Sequence, residues 1–336
     1  MTAAWSDDCT TYRRNPLTGD VVLYAPGREQ RPQSPAHLTV RPSAVAHGPA
    51  AKVDPECPFC PGNEHLLPPI LWEVPDSTGG GWLTRVVPNK YPIVPGAERH
   101  LVVIETPLHG QALEDLTPAH LETAVRSYQR AFAEVSAAGG VLYTVLFRNQ
   151  GVAGGASLAH PHTQVVGIDV VPDRVRRREA RSHRHQRTIG RCLLCDMVAT
   201  EEAEGGRLVT ATPGFVAFVP WAAEVPCDTW IVPRRHQADF RELRDGEVSG
   251  MAAVLRDVLT RVGAVSSAYN VTLESCSLLR GASRGDEVIQ DPALHWFLRV
   301  RPRTTAAAGF EVATGISINP SPPERDAARL RGLPRA

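Results

Sequence analysis

The chain has 336 residues, enough for one large domain or two of about 150. Hydrophobic residues make up 43% and charged residues 21%, the balance of a globular protein, and 36 basic against 36 acidic residues leave no net charge, so the general basic field of a nucleic-acid binder is absent. No run approaches the ~20 apolar residues of a membrane span and the first sixteen residues hold no apolar core of a secretory leader, so the cytoplasm is the expected location.

In chain order, the first feature with chemical content is the segment Asp54-Pro55-Glu56-Cys57-Pro58-Phe59-Cys60-Pro61-Gly62. Its CxxC pair, and a second pair at Cys192 and Cys195, point in a reducing compartment to metal or redox chemistry. Cys9, Cys227 and Cys276 stand alone and receive no role. A strand-like run, Val102 to Ile104, then leads through Pro107 to His109. Thr117-Pro118 supplies a helix N-cap and a proline at the first helical position, and Leu121, Val125, Tyr128, Phe132 and Val135 recur at helical spacing behind it. A strand is expected over Val141 to Phe147, followed by a loop of small residues, Gly151 to Ser157, and by His160-Pro161-His162-Thr163-Gln164.

The same order then repeats. Residues 172–191 carry eight arginines in the stretch Arg174 to Arg191 and are read as a linker. After Cys192 and Cys195 come a strand-like run from Thr229 to Val232, then Pro233 and His236. A helical pattern follows at Leu243, Met251, Leu255, Val258 and Val262, then a strand from Tyr269 to Leu273, and His295. Cys60 to His160 and Cys195 to His295 are both separations of 100 residues. The expected architecture is therefore α+β, two homologous halves, 1–171 and 192–336, each an antiparallel sheet with one long helix.

Zinc prefers four tetrahedral ligands drawn from thiolate and imidazole. Cys57, Cys60, His109 and His160 form one candidate set, and Cys192, Cys195, His236 and His295 the other. Each would tie a tight CxxC turn to strands distant in sequence, and with no open position both would be structural. The competing redox reading requires a CxxC at a helix start after a strand; the proline-rich surroundings of Cys57 disfavour it.

On an extended chain alternate side chains share a face, so His160, His162 and Gln164 project together. A neutral imidazole whose second nitrogen is held by a carbonyl can attack phosphorus. His162, fixed beside a metal-bound His160, is the candidate nucleophile. Gln164 can donate to a phosphate oxygen without taking a proton, Ser157 can add a hydroxyl, and the glycines allow backbone N–H groups to approach a phosphate.

These segments resemble the galactose-1-phosphate uridylyltransferase family of the histidine-triad superfamily, whose signature is HPHxQ. The resemblance runs over nearly the whole chain. It includes the N-terminal segment Tyr12 to Arg31, Cys57-Pro58-Phe59-Cys60-Pro61-Gly62, Val87-Pro88-Asn89-Lys90-Tyr91-Pro92 and Gly309-Phe310-Glu311 with Thr314-Gly315. It implies His162 as nucleophile, His160 as zinc ligand and Gln164 as the residue that orients phosphate. It further implies that Arg28, Arg31, Asn89, Asn149, Ser157 and Glu311 contact nucleotide or sugar phosphate, and that the protein is a homodimer. The position matching His162 in the second half is Phe297, so one site per chain is expected. The second CxxC, and the absence of an HxH at His295-Trp296-Phe297, look closer to the two-zinc branch that also contains ADP-glucose phosphorylases. The partners expected are a sugar nucleotide and a sugar 1-phosphate or inorganic phosphate, with no nucleic acid and no membrane. The first reading is uridylyl transfer from UDP-glucose to a hexose 1-phosphate such as galactose 1-phosphate. Adenylyl transfer from ADP-glucose to phosphate stands beside it, as does a related transfer in specialised metabolism. A histidine-triad hydrolase would carry a third histidine where Gln164 stands. A zinc-stabilised nucleic-acid binder would rest on the arginine run alone.

Overall fold

The computed structural model describes residues 10–30, 53–278, 288 and 290–336. Arg31 and Cys9 lie outside the described residues. The first half contributes strands β3 (Trp72–Pro75), β4 (Trp82–Pro88), β5 (His100–Ile104), β6 (Tyr143–Gln150) and β7 (His162–Ile168), with helix α1 (Pro118–Ala137) between β5 and β6. The second contributes β8 (Leu208–Ala211), β9 (Phe215–Phe218), β10 (Thr229–Pro233), β11 (Tyr269–Glu274) and β12 (Phe297–Pro302), with α4 (Asp245–Val265) between β10 and β11. Within each half the order is the same, β3-β4-β5-β7-β6 and β8-β9-β10-β12-β11, as a duplicated α+β unit requires.

The halves do not form separate sheets. β6 pairs antiparallel with β11, Tyr269 opposite Gln150 and Val271 opposite Arg148, so that all ten strands form one sheet. Helices α1 and α4 lie together on one face. Thr117 Oγ1 caps α1 by accepting from His120 N, and Leu121, Val125, Tyr128, Phe132 and Val135 are all buried. Met251, Leu255, Val258 and Val262 do the same for α4, whereas Leu243, expected inside that helix, is buried in the turn before it. Phe132 meets Phe240 edge to face at 5.7 Å, and Gln129 donates to the carbonyls of Arg241 and Leu243, locking the helix layer across the two halves.

The arginine-rich segment read as a linker is helical. It forms helix α2 (Asp173–Ile189), which is followed directly by α3 (Leu193–Glu204). Val175, Arg178, Glu179 and Ser182 repeat at helical spacing and are buried, so α2 presents a polar stripe to the protein and Arg176, Arg177, Arg184 and Arg187 to solvent. Both chain ends join a small second sheet: β1 (Thr11–Arg14) runs antiparallel to β2 (Val21–Tyr24), which pairs in parallel with β13 (Ser317–Asn319). Helices α5 (Gly309–Thr314) and α6 (Pro323–Arg331) flank it in sequence. Among the described residues no helix is long and apolar enough to cross a membrane.

Candidate active site

The site lies on the sheet face opposite α1 and α4. Strand alternation sorts β7 into two sets: Thr163 points toward the helices, and His162 and Gln164 toward the other side. Pairing extends the second set. His162 is opposite Ile104 and Gln164 opposite Val102 on β5, while on β6 the pairing Arg148 to Thr163 places Asn149 beside His162. Asn270 of β11 is opposite Asn149 and donates to its Oδ1 at 2.8 Å.

His162 is buried, and burial pulls its pKa below the usual imidazole value, so the ring is neutral near pH 7. Its Nδ1 lies 2.9 Å from the His160 carbonyl oxygen. A carbonyl only accepts, so Nδ1 carries the proton and Nε2 keeps its lone pair. Phe59, between the two cysteines of the first pair, packs edge-on against this ring at 5.2 Å.

Cys57, Cys60, His109 and His160 converge, with the four ligand atoms within 4.8 Å of one another, and so do Cys192, Cys195, His236 and His295. Both groups could hold a metal ion. In the first, Sγ to Nδ1 separations are 3.5 Å for Cys60–His109, 3.6 Å for Cys60–His160 and 3.7 Å for Cys57–His160. In the second they are 3.4 Å for Cys195–His295, 3.5 Å for Cys195–His236 and 3.9 Å for Cys192–His295. A tetrahedral ion with zinc-like bonds of ~2.3 Å to sulfur and ~2.05 Å to nitrogen imposes about 3.6 Å, so both donor sets fit such an ion. The ring orientation is set from behind. His160 Nε2 donates to the Thr106 carbonyl at 2.7 Å and His236 Nε2 to the Asp291 carbonyl at 2.9 Å, leaving each Nδ1 as the inward lone pair. Burial takes His160 down to about 4, which keeps it neutral, and pushes the Cys57 thiol up to about 11, a penalty that a cation at the centre would reverse.

The other residues singled out from sequence fall into two groups. Asn89, Asn149 and Gln164 gather around His162. Asn89 Nδ2 lies 3.3 Å from Gln164 Oε1, and Asn149 Nδ2 reaches the Gly155 carbonyl at 3.4 Å. Ser157 is exposed on the loop leading into His160. Arg28 is exposed on the turn Pro26–Gln30, and Glu311 accepts from the Ala308 N–H in α5. Among the described residues neither Arg28 nor Glu311 is hydrogen-bonded to the His162 cluster.

Residues that sequence reading passed over complete the site. His100 touches both Asn89 and Gln164. Asn270 also donates to the Gly154 carbonyl, and Arg303 Nε to that of Ala153, so the second half holds the loop of the first. This contact explains two of the loop glycines: a Cβ at Gly151 would stand 2.9 Å from the Ser267 carbonyl oxygen, and one at Gly154 3.0 Å from that of Tyr269.

Residues 48–171 match a family model described as the N-terminal domain of a domain of unknown function, DUF4931. ADP-glucose phosphorylase from Arabidopsis thaliana is 29% identical over 95% of this chain and 92% of its own length. Galactose-1-phosphate uridylyltransferase from Thermotoga maritima is 25% identical over 95% and 97%. A crystal structure of the Arabidopsis thaliana phosphorylase with bound ADP-glucose superposes with a TM-score of 0.80 over 97% of this chain and 99% of that one, at 28% identity. A uridylyltransferase structure does so with a TM-score of 0.69 over 96% and 97%, at 27% identity. Over nearly its whole length the chain is thus similar, in sequence and in fold, to galactose-1-phosphate uridylyltransferases and to an ADP-glucose phosphorylase.

Within the fold shared with these proteins, one half of the chain differs visibly from the other. β12 begins at Phe297 where β7 begins at His162. Phe297 stacks on Trp230 at 4.3 Å, and the Arg178 guanidinium of α2 lies over its ring. α2 is pinned there by Arg178 to Glu274 at 2.5 Å and by Glu179, whose carboxylate accepts from Ser277 N and Oγ at 2.6 and 2.9 Å.

Proposed function

We propose that the protein transfers a nucleotidyl group from a sugar nucleotide to a phosphate-bearing acceptor through a covalent nucleotidyl-His162. The observation that carries this reading is the His162 ring itself. It is neutral, tied by Nδ1–H to the carbonyl of His160, and carries its lone pair on Nε2. In the first step Nε2 attacks the α-phosphorus, an N–P bond forms, the P–O bond to the sugar phosphate breaks, and sugar 1-phosphate departs with that electron pair. The positive charge left on the ring is shared with Nδ1–H, which the His160 carbonyl stabilises. In the second step an acceptor phosphate oxygen attacks the same phosphorus and the N–P pair returns to Nε2. Gln164, two residues along the same strand face, is placed to donate to a phosphoryl oxygen without taking its proton.

For the partners, the likeness to the phosphorylase over nearly both full chains favours ADP-glucose as donor and inorganic phosphate as acceptor. The second Cys/His group fits the two-zinc branch, which holds phosphorylases and uridylyltransferases alike, and so leaves that order to the likeness in sequence and fold. Uridylyl transfer from UDP-glucose to a hexose 1-phosphate is the second reading, supported by relatives of that name at 24–26% identity. Zinc is the ion proposed for both groups, on the chemistry of two thiolates and two imidazoles. In the first group it would anchor His160 and thus the carbonyl that orients His162.

Native mass spectrometry of the purified chain, mixed briefly with ADP-glucose or UDP-glucose and no acceptor, reads all of this at once. The expected result is one AMP per chain, cleared by phosphate and absent from His162→Ala, on a dimer carrying two zinc ions per chain. A UMP adduct cleared by galactose 1-phosphate would select the second reading. No adduct from either donor would remove the proposal, and a monomer or a metal-free chain would remove those parts of it.

A further inference from the structure

His100 is 1% exposed, belongs to neither metal group, and has polar neighbours at both ring nitrogens. It opens β5 opposite Val166, and Gln164 opposite Val102 is its diagonal neighbour on the same sheet face. Its Nδ1 receives the backbone N–H of Ile93 at 3.2 Å. A backbone amide only donates, so Nδ1 is the bare nitrogen and Nε2 carries the hydrogen. Nε2 points at Gln164 Oε1 at 3.0 Å. Asn89 is fixed in the same way: its Oδ1 accepts from Tyr91 N at 2.8 Å, so its amide nitrogen is the end that faces Gln164 Oε1 at 3.3 Å. Asn89 Nδ2 and His100 Nε2 lie 3.0 Å apart, and as both carry hydrogen neither bonds the other: the two donors sit side by side on one atom of Gln164, and only the carboxamide oxygen can accept both. Burial lowers the pKa of His100, against the hydrogen bond to Gln164 that raises it, so the arrangement brings no charge to the site near neutral pH.

We propose that His100 is a positioning residue for the transfer: with Asn89 it captures the Gln164 carboxamide oxygen and so turns the Gln164 NH2 group toward the phosphoryl group at His162. Unrestrained, a carboxamide can flip and present its oxygen to the phosphate, an acceptor facing an anion. The inference rests on His162 as the nucleophile and Gln164 as the phosphate donor, and deepens that reading by naming what sets the polarity of Gln164.

The test is a double-mutant cycle on the rate of single-turnover nucleotidylation of His162, with ADP-glucose and UDP-glucose as donors. His100→Ala slows the step about tenfold, the worth of one oriented hydrogen bond, with the donor concentration for half-maximal rate little changed. Gln164→Ala slows it roughly a hundredfold. The double variant is no slower than Gln164→Ala, because His100 acts only through that side chain. His100→Gln, whose own NH2 can reach the same oxygen, recovers most of the rate. Losses that multiply, or a His100→Gln as slow as His100→Ala, would overturn the proposal. Nitrogen-15 NMR of the histidine-labelled full chain reads the arrangement without turnover and without any His100 variant. The expected ring has Nε2 protonated and Nδ1 bare at neutral pH, and the Nε2 proton shifts in Gln164→Ala. A ring protonated on Nδ1 overturns the proposal even if neither donor labels His162, an outcome that would separately remove the functional reading.

Discussion

Thr163 sits between His162 and Gln164 and faces the other way, into a buried polar cluster beneath the site. Glu105 is fully buried there. Its carboxylate accepts from Tyr128 Oη at 2.5 Å, Thr163 Oγ1 at 2.6 Å and Arg148 Nε at 3.0 Å, while its backbone N–H holds the Pro161 carbonyl at 3.2 Å. Arg148 is itself buried, so the pair survives only because each charge has the other. Glu105→Gln keeps the shape and strands the guanidinium. The expected loss is on the order of 3–5 kcal/mol, read as a lower urea midpoint. An unchanged midpoint would mean that Arg148 is neutralised by some other group. At this scale the legible part of the site was the part written within one stretch of chain. HPHTQ declares its own alternation, and the CxxC pairs declare a tight turn. His100 and Glu105 were not legible, because their roles depend on the register of β5 against β7, which no local pattern encodes. Asn270 and Arg303 escaped for the same reason, across a still longer separation.

At the scale of elements, α1 and α4 were readable because amphipathic spacing and a cap are local signals; Leu243 was misassigned because a buried residue in the preceding turn continues the period. That the linker segment is the docked helix α2 was not legible, for a different reason. Its composition is dominated by solvent-facing arginines, and the buried stripe of Val175, Arg178, Glu179 and Ser182 is mostly polar, so the usual apolar mark of a docked helix is missing. What α2 docks on matters for function. It covers the face of the second half that corresponds to the His162 face of the first, with Arg178 over Phe297. Arg299, the β12 counterpart of Gln164, is tied to Asp228 at 2.5 Å and shares Glu224 with Arg174 and Arg301. Burial would raise the Glu224 carboxyl, but these three arginines hold it down to about 2. The second face is therefore filled by ion pairs as well as by a helix. Restoring the missing histidine should not restore a site: Phe297→His is expected to take up one nucleotidyl group per chain, the same number as expected of the parent. It should also lose about 1–3 kcal/mol by burying an imidazole against Trp230 without a built-in partner. Two groups per chain in the intact mass would show that α2 does not close that face.

The whole molecule behaves as more than two joined halves. One apolar core draws on both, with Leu121, Val125 and Phe132 of α1 in the same cluster as Met251, Leu255 and Val258 of α4. The β6–β11 ladder carries the sheet through the junction, and the loop of the first half rests on residues 267–269 of the other. The duplication itself was legible in the two 100-residue separations, but the fusion was not, since nothing in either half marks β6 and β11 as partners. Cutting the chain after residue 171 would leave β6 with an unpaired edge and expose the α1 surface that meets α4, both costly in water. Two units so joined cannot gain their full stability apart. The metal-loaded chain is accordingly expected to unfold in a single transition, with far-ultraviolet dichroism and tryptophan fluorescence following the same denaturant curve. The segment 1–171 expressed alone is expected not to fold. Two separate transitions, or a folded and monomeric 1–171, would show instead that each half is stable by itself and that the shared sheet is a late docking of finished domains.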